Sequence, residues 1–523
     1  MPSSTTQPAA VRRLLLLAGV LAVAAFAWLA GRFWHPYYGF TRFVQLDAAD
    51  AAAGVREVRE YPVFTYEGFN GYDGAAYVQI AHHPLLDSPE LQPALGNVPY
   101  RARRILGSAL AWLLSAGDPA RIAGTYAALN LGVWLVLGVL LWRVLPVAGA
   151  RAFAAWAGVM FSAGALHAVR LALTDLLAAT LVTAGVALAE RQRPRLGGAV
   201  LALSGLARET ALAAVAALWR GPWASPRAWA GNALRAALVS LPLAAWMAYV
   251  RWQAGPAPQG LGNFSWPVIG WIEKWGEVFR AYGQHPEFRW LTTTTLLALA
   301  GLTVQAVFLL RRRRLEDPWW RVGATGVAMM VMLGTAVWEG HPGAATRVLL
   351  PMGVAFAVLA VRLGAGWGWI AGGGLTVFSG VLALWHVPQA QGELAAGRGA
   401  DGAYLARLDT GWYGIERDGR STWAWSGSGA KLVVETAPRD TASRTFRVKV
   451  RTIAPRPVEV HTAGEVVWRG EVAERPAWIE FRATPRERGR FELELRSAAA
   501  PQRENDHADA RALGFAVYDV EVK

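Results

Sequence analysis

Residues 196–219 read LGGAVLALSGLARETALAAVAALW, an apolar stretch interrupted at its centre by Arg208 and Glu209. Two adjacent charges at a bilayer midplane would be costly and would mark a functional site. The stretch also reads as two short helices meeting at one membrane face, with the charged pair at the turn. The arginines that follow decide between these readings. Arg220, Arg227 and Arg235 come next, and the run RRRR occupies 311–314. A single crossing puts all of them outside. A hairpin turning at Arg208-Glu209 puts them inside, where lysine and arginine collect. The hairpin is therefore the expected structure. Each arm is about a dozen residues, too short for a full span, so it must pack within a bundle or cross at a thin site.

The rest of the chain is consistent with a membrane setting. Of 523 residues, 54% are hydrophobic and 17% charged, and the mean hydropathy is +0.24. Apolar runs occupy 14–33, 120–143, 152–168, 171–189, 196–219, 233–252, 291–310, 321–338, 345–362 and 366–386. A shorter run, 105–116, reads as interfacial or re-entrant. The expectation is a polytopic α-helical membrane protein of about nine spans plus the short hairpin. Arg12 and Arg13 precede the first run and place the N-terminus in the cytoplasm, with that run as a signal-anchor rather than a cleaved signal peptide. The net charge of +14 comes without a basic face or binding motif, so nucleic acid is not an expected partner. The absence of cysteine excludes disulfides, thiolate catalysis and cysteine metal sites. The 26 tryptophans suit interface belts and also sugar stacking.

From about residue 400 the pattern changes to period two. Segments 431–435 (KLVVE), 446–450 (FRVKV), 458–460 (VEV), 478–481 (WIEF) and 491–495 (FELEL) alternate, with turn-rich gaps between them. That spacing predicts a β-sandwich. The expected organisation is a transmembrane domain over 1–395, with a first external loop at 34–104, and an extracytoplasmic β-sandwich over 400–523.

With this topology the unusual polar residues gather on the outer side. Asp73 lies in FNGYDG (69–74), and YRARR (100–104) supplies Arg101, Arg103 and Arg104. His167, Arg170 and Asp175 flank one external turn, Glu339, His341 and Arg347 another, and Arg208 and Glu209 top the hairpin. Arginine binds phosphate through fixed bidentate hydrogen bonds, and a carboxylate can take the proton of an attacking hydroxyl. Each residue also has a plain structural role open to it. The loop arginines anchor at headgroups, Arg208 and Glu209 pair as a turn, Asp175 caps the helix after it, and Asp73 is a turn residue beside Gly74. No histidine spacing resembles a metal site.

These residues resemble a family. The segment 72–77 (YDGAAY), 100–106 (YRARRIL), 173–175 (LTD) and 206–210 (LARET) look like a group of bacterial members of the GT-C glycosyltransferases, integral membrane enzymes that use polyprenyl-phosphate-linked sugars. The resemblance covers roughly residues 10–390. At the C-terminal end, 411–416 (GWYGIE), 423–425 (WAW) and 511–519 (RALGFAVYD) are similar to the β-sandwich that some members carry outside.

The resemblance implies an inverting transfer from a polyprenyl-phosphate sugar donor to a hydroxyl of a glycan, lipid or protein acceptor, in the bacterial inner membrane. It implies that Asp73 is the general base and that Arg208 sits at the hairpin tip near the lipid phosphate. Arg101, Arg103, Arg104, Glu209, Arg347, His341, Asp175 and Tyr77 complete the implied substrate and phosphate site. The first loop lacks a paired acidic motif, so Asp73 acts alone or with Glu67. No cofactor is required, although a divalent cation is compatible with the class. Two other functions remain open: a lipid-linked-sugar transporter or flippase, which calls for internal repeats and midplane polar residues, and a non-catalytic glycan-binding membrane protein.

Overall fold

Helix starts follow the sequence punctuation closely. Asp118 accepts from the Ala120 amide with Pro119 in the first turn, Ser225 accepts from Ala228 with Pro226, and Asp317 accepts from Trp319 and Trp320 with Pro318. Each is a side-chain cap followed by a proline whose missing N–H costs nothing there. A computed structural model describes residues 9–68, 71–145, 147–221, 225–256, 261–419, 421–503 and 511–523. Phe69 and Asn70 of the first-loop motif lie outside these. The described residues fall into two units: those within 9–33, 40–55 and 67–387 make one, and those within 34–39, 56–66 and 388–523 make the other.

The first unit is helical. Among the described residues, five helices are long and apolar enough to cross a membrane: Ala10–Gly31, Pro119–Val144, Ala150–Arg170, Pro226–Ala254 and Pro286–Arg311. Four shorter apolar helices, Ile105–Leu114, Glu209–Leu218, Leu350–Arg362 and Trp367–Ala383, accompany them. The expected number of about nine spans therefore is not reached by long helices alone. The apolar run at 366–386 shows why. Gly372, Gly373 and Gly374 interrupt it, and it divides into Trp367–Gly373 and Val377–Ala383, because glycine is a poor helix former.

The chain reverses at Arg208. Helix Pro194–Ala207 ends there, Arg208 is extended (φ −156°, ψ 124°), and Glu209–Leu218 continues as a 3-10 helix. The arms run back along each other. A Cβ built on Gly205 would meet Leu212 at 2.8 Å, and one on Gly198 would meet Leu218 at 3.5 Å, two contacts placed symmetrically about the turn. Ten residues is long for a 3-10 helix, but its rise of about 2.0 Å per residue stretches this arm to about 20 Å, matching the fourteen α-helical residues of the other. Gly197 and Gly185 let the first arm lie against helix Asp175–Glu190, since a Cβ on Gly197 would sit 2.6 Å from the Gly185 carbonyl oxygen. Small residues at such crossings are what allow close backbone approach in a bilayer.

The second unit is built on eleven strands. They are β1 (Glu393–Gly399), β2 (Gly402–Leu408), β3 (Trp412–Arg417), β4 (Thr422–Ser426), β5 (Gly429–Ala437), β6 (Arg444–Thr452), β7 (Arg456–Thr462), β8 (Glu465–Val472), β9 (Ala477–Ala483), β10 (Arg490–Arg496) and β11 (Phe515–Val522). They form two antiparallel sheets, ordered β8-β7-β10-β5-β2-β1 and β9-β6-β11-β4-β3. Alternation sets the register. On β6, Phe446, Val448 and Val450 point inward, Arg447 and Lys449 outward, and Phe446 meets Phe491 of the other sheet at 4.9 Å between ring centres. Two segments between the first and second long apolar helices, 34–39 and 56–66, also belong to this unit. Tyr37, Tyr38 and Phe64 pack on Leu405, and His35 bonds Glu393 at 2.9 Å.

Candidate functional site

The polar residues of the helical unit meet where helix Asp73–His82 begins. Asp73 is the first residue of that helix, where the helix dipole favours an anion. Gly74 makes the position accessible. A Cβ there would lie 2.5 Å from the Leu171 carbonyl oxygen and 2.8 Å from that of Val44. Only glycine allows the helix start to abut the turn that leads into Asp175.

Arg104 organises the centre. It is 6% exposed. Its Nε and Nη2 donate to Glu209 Oε2 and Oε1 at 2.9 and 2.8 Å, and its Nη1 donates to the Tyr77 hydroxyl at 2.8 Å. The same Nη1 lies 3.6 Å from Asp73 Oδ2. Such a planar fork satisfies two carboxylates and a phenol at once, which a lysine could not do. Tyr77 is held in turn by Ser108, whose hydroxyl donates to the Tyr77 carbonyl oxygen at 2.8 Å.

The neighbouring arginines extend the network. Arg101 forms an ion pair with Asp73, each side chain about a third exposed. Arg103 stacks on the Tyr100 ring at 4.0 Å and its Nε approaches Glu209 Oε1 at 3.5 Å. Arg208 pairs with Asp175, which is 2% exposed. Neither Asp175 oxygen has a well-formed hydrogen bond among the described residues, so the buried charge depends on the Arg208 guanidinium. Arg347 donates to the Tyr72 hydroxyl at 2.6 Å and covers the Tyr72 ring at 5.2 Å, next in sequence to Asp73.

Asp73, Tyr77, Arg101, Arg103, Arg104 and Glu209 are thus joined directly, with Arg208–Asp175 beside Glu209 and Arg347 beside Asp73. His341 lies elsewhere. Its Nδ1 contacts Thr295 Oγ1 at 3.2 Å. It stands beside Lys274, a lysine 1% exposed whose ammonium donates to the Gly340 carbonyl and Glu277 at 2.8 Å each. Burial, then the Lys274 charge, pushes the His341 imidazole below its ordinary value, with Glu277 opposing. Glu67 makes no hydrogen bond or ion pair among the described residues. Tyr72 and Tyr100, which the sequence reading did not single out, enter the network as ring and hydroxyl partners of arginine. Their place inside YDGAAY and YRARR is the signal that could have found them.

Charge decides what this arrangement can hold. Among the groups joined in this network, five arginines (101, 103, 104, 208 and 347) face three carboxylates (Asp73, Asp175, Glu209), leaving two positive charges over, with the charge of Asp50 also acting on Arg101. Burial would raise the Glu209 carboxyl. The hydrogen bonds and charge of Arg104, followed by the charges of Arg103 and Arg208, outweigh it and hold the group well below the usual carboxylate range. The Tyr77 phenol is pushed up by burial, against the charges of Arg104 and Arg208, so it remains a neutral donor and acceptor. Each carboxylate is already engaged by arginine, and among the described residues no group of three His, Asp or Glu is placed to hold a metal ion. The surplus suits an anion.

The two units define a helical membrane protein with an appended β-sheet unit. No protein-family model matches the chain, and no curated protein matches it in sequence. Among solved structures it is similar to the cryo-EM structure of the arabinosyltransferase EmbB from Mycobacterium smegmatis, with 13% identity, over 80% of this chain and 59% of that one, at a TM-score of 0.27. The chain therefore spans less than two thirds of that protein, and a score of this size is too low to define a shared fold.

Proposed function

We propose that the protein is a membrane glycosyltransferase that moves a sugar from a polyprenyl-phosphate donor to a hydroxyl acceptor on the extracytoplasmic face. The observation that carries the proposal is the arginine network with two positive charges in excess, gathered around a partly exposed Asp73. In the reaction, the acceptor oxygen attacks the anomeric carbon as the carbon–oxygen bond to phosphate breaks. The electron pair leaves with the polyprenyl phosphate and the hydroxyl proton passes to Asp73. The phosphate gains negative charge in that step, and preorganised guanidinium groups stabilise it more than they do the donor.

Arg101 links binding to chemistry. It pairs with Asp73 and is 30% exposed, so a donor phosphate can compete for it. Arg104 stays fixed by Glu209 and Tyr77. Moving Arg101 from Asp73 to the phosphate would leave the carboxylate a stronger base when the acceptor arrives. Arg208, at the hairpin tip, and Arg347 complete the phosphate contacts. His341 and Lys274 lie outside this step.

The test is transfer by the purified full chain from a panel of radiolabelled polyprenyl-phosphate sugars. Asp73→Asn is expected to lower the rate by at least about 100-fold, the scale of general-base catalysis. Arg208→Ala is expected to weaken donor use and lower kcat. Full activity of a folded Asp73→Asn protein would refute the base assignment. Lipid movement across vesicles without transfer would refute the enzyme reading in favour of transport.

A further inference from the structure

The hairpin has a second basic end. Between helix Pro194–Ala207, the end of the 3-10 arm and helix Pro226–Ala254 runs a groove of about 600 Å³. Ala202, Leu203 and Leu238 contribute apolar wall, and Arg195, Arg220 and Arg235 also line it. At about 1.5 Å per residue, Arg195 lies roughly 20 Å along the helix from Arg208. The two basic ends of the hairpin are therefore separate sites.

A general preference of arginine for the inner face accounts for a basic end, but not for three arginines converging on one apolar groove without a carboxylate among them. Arg195 sits in the first turn of its helix, where the dipole disfavours a cation. Among the described residues, none of the three arginines forms an ion pair and no carboxylate lines the groove. The end is nonetheless built. Asn232 accepts from the Arg220 amide at 3.0 Å and from Arg235 Nη1 at 2.7 Å, and donates to the Arg220 carbonyl at 3.2 Å. The apolar wall faces outward, with Leu203 43% and Leu238 59% exposed. Its volume falls in the range of small-ligand sites, about 300–1,000 Å³.

We infer that this groove binds an anionic phospholipid, with an acyl chain along Ala202, Leu203 and Leu238 and the headgroup phosphate at Arg195, Arg220 and Arg235. Uncompensated arginines at the mouth of an apolar cleft match the two parts of such a lipid. None of the three belongs to the network around Arg104, so the inference does not rest on the transfer reading.

Native mass spectrometry of the purified full chain, titrated with phosphatidylglycerol or phosphatidylcholine, tests it. Phosphatidylglycerol is expected to bind at least about tenfold more tightly. Removing each arginine should cost about fivefold, so Arg195→Ala with Arg220→Ala should cost roughly 25-fold. Both side chains are exposed, and the fold should survive. Ala202→Trp, which fills the groove and leaves the arginines, should also lower binding, whereas Arg313→Ala should not. Unchanged affinity in the double variant or in Ala202→Trp, equal binding of phosphatidylcholine, or displacement of phosphatidylglycerol by a polyprenyl phosphate at the same arginines would each overturn the assignment.

Discussion

Arg104 and Glu209 lie 105 residues apart in sequence and share a bidentate pair at 2.8–2.9 Å. Breaking it leaves a buried guanidinium half-satisfied. Glu209→Gln is expected to destabilise the protein by about 2 kcal/mol, below the value for a fully buried pair because the Glu209 side chain keeps 25% exposure. Thermal unfolding in detergent measures this. The pH dependence has a definite sign. Glu209 is held below its ordinary value, so its contribution is complete above the unfolded carboxyl value of about 4.3 and is lost as pH falls through the lower folded value. Wild type should lose stability as pH drops below about 4.5, and Glu209→Gln should lose less over the same range; equal slopes would contradict the pair's role. None of these partnerships is legible in the sequence. Charge placement by membrane face gathers candidates on one side, but it cannot distinguish His341, which pairs with Thr295 near Lys274, from residues touching Asp73. Lys274 is hidden in IGWIEKWGEVF, an amphipathic pattern in which a lysine ordinarily faces solvent.

At the level of elements, the reversal at Arg208 was legible because charge is expensive in a bilayer, so a charged pair inside an apolar run marks a turn. The conformation of its second arm was not. The apolar, alanine-rich segment Glu209–Leu218 favours an α-helix by propensity, yet it is a 3-10 helix, with the longer rise that lets ten residues match the opposite arm. Glycines fix how the arms pack. Gly197→Val would drive a side chain into the Gly185 carbonyl, 2.6 Å from the new Cβ. A loss of about 1–3 kcal/mol is expected, read by thermal unfolding, with donor use falling as Arg208 shifts. A variant as stable and active as wild type would mean that the helices do not pack through these glycines. Long apolar runs were also poor guides to element length, since glycine clusters such as 372–374 divide them.

For the whole molecule, the period-two pattern located the β-sheet unit, because inward positions repeat every second residue on each strand. It could not show that 34–39 and 56–66 join that unit, since those segments meet it only through tertiary contacts such as Tyr37 and Phe64 against Leu405. On the topology proposed from the arginine distribution, a reporter inserted after Arg220 should read as cytoplasmic, like one at the N-terminus, and an external readout would break the assignment of faces. Whether Asp73 takes the acceptor proton is decided by a single comparison. Purified wild type and Asp73→Asn are given the same radiolabelled polyprenyl-phosphate sugar and a hydroxyl acceptor, with folding checked by thermal unfolding. Labelled product is expected from wild type and at least about 100-fold less from Asp73→Asn. Equal product from both proteins, or none from wild type with any donor, would contradict the proposal.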